Sequence, residues 1–137
     1  MDKGKIKLKE NHRRSLSSAL AMSEKMLTEI EDSLRSLKNT CCFRIENDVD
    51  PEKIQHNLEI IQEAREQICK LAAKYSTDKQ NQTLSRLINA KKTKIWEILC
   101  DTKAKKQKGF GEFPKELVKE FDEDIDKLME ITNKITF

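Results

Sequence analysis

The chain has 137 residues, a length suited to one hydrophobic core, with 37% charged and 5% aromatic side chains and only 3 Gly and 2 Pro. So few turn residues among so many Lys, Glu, Leu and Ile point to long amphipathic helices, and the regular recurrence of the apolar residues excludes disorder beyond the first ten. The net charge of +3 hides a polarity: residues 1–14 hold six Lys/Arg against two acids, residues 91–108 seven against two, and residues 109–137 four against eight.

In chain order, residues 1–10 read as a flexible basic tail that carries charge but is not followed by an apolar stretch, so neither a signal peptide nor a membrane span is expected. From Ser15 the residues Leu16, Leu20, Leu27, Ile30, Leu34 and Leu37 recur three, four or seven apart, with Ala19, Met22 and Met26 widening the stripe. That spacing predicts a first helix over about 12–38, stopped at Asn39, a residue tolerant of the left-handed conformation. The connection NTCCFRIENDVD follows, with Cys41, Phe43 and Ile45 in alternation, and an extended piece folding over the end of the helices is expected there.

Asp50 and Pro51 predict the start of a second helix over 51–75, the Asp accepting from first-turn amides and the Pro losing nothing at the first helical position. Its stripe is Ile54, Leu58, Ile61, Ile68, Leu71 and Tyr75. Ser76, Thr77 and Asp78 read as the cap of a third helix over 78–108, marked by Leu84, Leu87, Ile88, Ile95, Ile98 and Leu99, with Lys91 on the stripe and Trp96 at its edge. Gly109 is expected to end that helix and Pro114 to open a fourth over 114–135, with Phe110 and Phe113 as plugs of the core. Similar helix lengths and two short connections predict an all-α, antiparallel up-down-up-down four-helix bundle, residues 11–137 forming one domain. A helical hairpin that completes its core by dimerising is the rival.

The candidate interaction surface is basic: Lys91, Lys92, Lys94, Trp96, Lys103, Lys105, Lys106 and Lys108, all expected on the third helix. Clustered cations with an interleaved aromatic group suit nucleic acid, whereas the acids of the fourth helix offer them partners within the chain. Cys69 and Cys100, each next to a stripe residue, read as small half-buried hydrophobes. Vicinal Cys41 and Cys42 are the candidate reactive thiols, with Arg44 nearby. The cysteines form no spaced framework, and reduced thiols in the cytoplasm are expected. The two histidines lack the Glu-x-x-His order of a di-iron bundle, Gly109 and Gly111 lack the rest of a phosphate loop, and no nucleophile has its base; no metal, cofactor or catalytic constellation is expected.

These features lead to a helical-bundle protein acting by protein–protein contact, with a partner or as a homodimer. A second reading is nucleic-acid binding through the lysine-rich third helix and the N-terminal arm. A third is a ligand carrier or enzyme whose internal pocket holds Arg65 and Lys91 as cations.

Overall fold

A computed structural model describes residues 7–137; the first six positions of the expected tail lie outside the described residues. Among the described residues the protein is all-helical, with four α-helices and no strand: α1 (Glu10–Arg35), α2 (Pro51–Lys74), α3 (Leu84–Cys100) and α4 (Val118–Asn133), plus short 3-10 turns at Ala104–Lys106, Lys108–Phe110 and Lys115–Leu117. The chain divides into two compact units, one running to Gln80 and the other from Asn81 to Phe137.

The first unit is the antiparallel pair α1/α2. Leu20, Leu27 and Leu34 of α1 and Ile68 and Leu71 of α2 are half-buried, and Ile61 is buried. Two polar clamps set the register from opposite ends. Near the connection, the Arg65 guanidinium donates to both oxygens of Glu31 at 2.9 and 3.0 Å and to Thr28 Oγ1 at 3.3 Å. At the open end, the buried Ser17 hydroxyl donates to the Arg13 carbonyl at 2.8 Å and accepts the Asp78 amide at 3.1 Å, while Arg13 reaches the Asp78 carboxylate.

Several helix ends differ from the sequence expectation, each for a local reason. The first helix ends at Arg35, because Ser36 is already extended; Asn39 instead accepts the Ile45 amide on its side chain at 2.8 Å and pins the connection. No strand forms there: Ile45 is half-buried and Phe43 is exposed. Asp50 makes no side-chain cap, although Pro51 occupies the first turn of α2 as expected.

Ser76, Thr77 and Asp78 do not start the third helix but end the second. The Ser76 amide bonds to the Ala73 carbonyl and the Thr77 amide to Ala72, with Ser76 at φ +53°, the Schellman arrangement of a helix C-terminus. The polar residues 79–82 offer no apolar side chain to pack, and α3 begins only at Leu84, capped by Thr83 Oγ1 accepting from the Arg86 amide at 3.3 Å.

The second unit is the antiparallel pair α3/α4, with Met129 and Ala104 buried. Its third helix stops at Cys100 rather than 108. Lys103 is extended, and Asp122 of α4 accepts the Ala104 amide at 2.9 Å, starting a 3-10 turn where an α-helix was expected. Gly109 therefore lies inside a 3-10 turn, and the glycine that takes the left-handed conformation is Gly111, at φ +112°. Pro114 precedes a further 3-10 turn, placing the start of α4 at Val118.

Candidate interaction surface

The expected basic surface is divided by the break in the third helix. Lys91, Lys92, Lys94 and Trp96 stand on α3, Lys103 precedes the first 3-10 turn, Lys105 and Lys106 lie within it, and Lys108 opens the second. These residues share one unit but not one helix. Trp96, at the edge of the α3 stripe, is 47% exposed.

Two of the cations are spoken for within the unit. Lys92 is half-buried and donates to the Ile135 carbonyl at 2.8 Å, beyond the C-terminal end of α4, where carbonyls left without amide partners favour a cation. Lys103 forms an ion pair with Asp126, whose carboxylate holds its ammonium pKa above the ordinary 10.5. With Asp122 receiving the Ala104 amide, the acidic helix fastens the start of the turn at two adjacent points. Lys91, Lys94, Lys105, Lys106 and Lys108 are exposed and form no ion pair with another described residue.

The apolar residues around these lysines are only partly used. Phe113 packs on Phe121 with ring centroids 4.9 Å apart, as a plug would; Phe110, expected to share that role, is 90% exposed. On α3, Leu84, Lys91 and Ile98 recur every seven residues and are all exposed; Leu128 of α4 is exposed too, as are Leu117 just before that helix and Ile135 just after it. In the first unit Met26 and Ile30 of α1, Leu37 just past its end and Ile60 of α2 are likewise exposed.

The other candidates are dispersed. Cys41 and Cys42 are exposed free thiols, and Arg44 turns to Glu46 at 3.7 Å. Cys100 is half-buried as expected, but Cys69 is exposed because its neighbour Ile68, not Cys69, faces α1. Arg65 of the first unit pairs with Glu31, and Lys91 of the second is exposed. Among the described residues no three His, Cys, Asp or Glu side chains converge as metal ligands, and no helix is long and apolar enough to cross a membrane.

The α3/α4 break could have been suspected from sequence only through its partners: Asp122 and Asp126 occupy one face of the fourth helix, four apart, opposite a lysine run that follows the last apolar residue of the third. No protein-family model, curated protein or solved structure matches the chain.

Proposed function

We propose that this is a small cytoplasmic protein that works by helix-to-helix contact with a protein partner or a second copy. The observation that carries this reading is the line of apolar side chains left in solvent along each hairpin, exemplified by Leu84 and Ile98 with Leu117, Leu128 and Ile135. Apolar side chains exposed along one side of a helix are costly in water and are the usual substrate of helix packing. A dimer that joins lysines of α3 to acids of α4 in the other copy fits the charge polarity of the chain.

Sedimentation velocity at low and high salt tests the self-association version. Apolar contact predicts a dimer that persists in salt, charge pairing predicts one that dissociates as the ions screen it, and a strict monomer in both conditions removes self-association.

A second reading, nucleic-acid binding, is favoured by five exposed lysines of the 91–108 segment, Lys91, Lys94, Lys105, Lys106 and Lys108, that have no ion partner among the described residues, with Trp96 in the same segment. Neutralising the exposed Lys105, Lys106 and Lys108 together is then expected to weaken binding and flatten its salt dependence. Absence of binding to mixed DNA and RNA at low salt excludes it.

A further inference from the structure

The end of the first unit beneath the connecting segment holds a groove of about 610 Å³, lined among the described residues by Met26 to Ile54. One side is Met26 and Ile30 of α1 with Leu37 just past its end; the other is Ile45 and Val49 of the connection with Ile54 of α2. The helical part of the first side, from Met26 to Leu34, runs about 12 Å at the rise of an α-helix, a little over two turns. Ser33 sits in the same line, and its hydroxyl is already committed to the Glu29 carbonyl at 3.0 Å, which leaves a small side chain at the middle of the trough. Asn39 holds the far wall in place through the Ile45 amide.

Charge selects among occupants. Glu29, Glu46 and Asp48 line the groove, and among the described residues no cation does. Among the described residues Glu46 alone of the three has an ion partner, Arg44, and that contact at 3.7 Å between two exposed side chains contributes little. An apolar trough a little over two helical turns long, edged by carboxylates, repels an anionic lipid headgroup or an acidic helix and complements a helix whose apolar stripe is flanked by Lys or Arg.

We propose that this groove is the docking site for a basic amphipathic helix of a protein partner. The inference rests on the helix-to-helix reading above and narrows it to one place and one charge. The apolar anchors of the incoming helix enter between Ile30 and Val49, while its flanking cations meet Glu29, Glu46 and Asp48. Met26 at one end supplies a side chain that adapts to anchors of different shape.

The test uses the full chain and two fluorescein-labelled amphipathic peptides of roughly 15 residues, about four helical turns, one built from Leu and Lys and the other from Leu and Glu. Anisotropy is expected to show saturable binding of the Leu/Lys peptide at least about tenfold tighter than the Leu/Glu peptide, a tenfold ratio being about 1.4 kcal/mol. The double variant Met26→Ser, Ile30→Ser removes exposed side chains only and is expected to weaken binding by a similar factor at unchanged helical circular dichroism. Glu29→Lys with Asp48→Lys is expected to weaken it at low salt and to narrow the difference between the peptides.

Equal affinity for both peptides, or wild-type affinity in the serine variant, overturns the proposal. So does a wild-type dimer that the serine variant converts to monomer, since a second copy is then the occupant. If the Leu/Lys peptide fails to bind but the chain still self-associates, the groove assignment fails alone. If it fails and the chain is monomeric at every salt, the self-association version fails with it.

Discussion

Glu31 illustrates how a single carboxylate can fix the pairing of two helices. It receives two hydrogen bonds from Arg65 across the hairpin and a longer contact from Arg35 one turn along α1, at 3.7 Å. The Arg65 hydrogen bonds hold the Glu31 carboxyl below its ordinary 4.5, and the same contact raises Arg65. A folded-state pKa below the unfolded one means stability that is present above the ordinary carboxylate value and is lost as the pH falls through the depressed one. Glu31→Gln is therefore expected to lower the melting temperature at neutral pH. The gap to the wild type should close as the pH falls below 4.5, and thermal unfolding across pH 2–7 measures it. Ser17 makes the corresponding link at the other end without charge. Its replacement by Ala strips the Asp78 amide of its acceptor, and a loss of about 0.5–1.5 kcal/mol in urea unfolding is expected.

At the scale of elements, the helices follow from apolar periodicity, while their ends are decided by contacts that periodicity does not carry. The presence of four helices was legible in sequence, as was the start of α2 at Pro51, because recurrence at three and four residues is a property of one segment. Ser76–Asp78 was misread as a start because Ser, Thr and Asp cap helices at the N-terminus, whereas here Ser76 accepts a left-handed conformation normally left to Gly and Asp78 is claimed by Arg13 and Ser17, sixty residues away in sequence. The end of α3 was missed for a related reason, since the residues that fasten the turn at Lys103 and Ala104 belong to α4. Ser76→Gly tests the first point. A left-handed backbone costs a residue with a Cβ about 1–2 kcal/mol, and Gly returns about 0.5–1 kcal/mol of that through the entropy of the unfolded chain. A net gain of up to about 1 kcal/mol in denaturant unfolding is expected, with the Arg13 contact to the Ser76 carbonyl preserved because it involves the backbone alone.

At the scale of the whole molecule, the basic surface was legible as composition but not as geometry. Lysines cluster in sequence from 91 to 108, yet Lys92 and Lys103 serve the α3/α4 pairing, and only the remaining exposed ones are available to an outside partner. The apolar lines make a sharper test of function because buried and exposed residues alternate along one helix. Met129 is 9% exposed and Leu128 is 44% exposed, so adjacent positions separate folding from association. Met129→Ala removes a buried side chain and is expected to cost about 2–4 kcal/mol of stability. Leu128→Asp places a charge where water already reaches, and its effect on unfolding is expected to stay within about 0.5 kcal/mol, as for a substitution at the surface. If the exposed line is the contact surface, the same Leu128→Asp chain sediments as a smaller species than the wild type, since burying an unpaired carboxylate in a helix-to-helix interface is strongly unfavourable. Unchanged sedimentation in Leu128→Asp, from a wild type that does associate, moves the contact away from this face of α4.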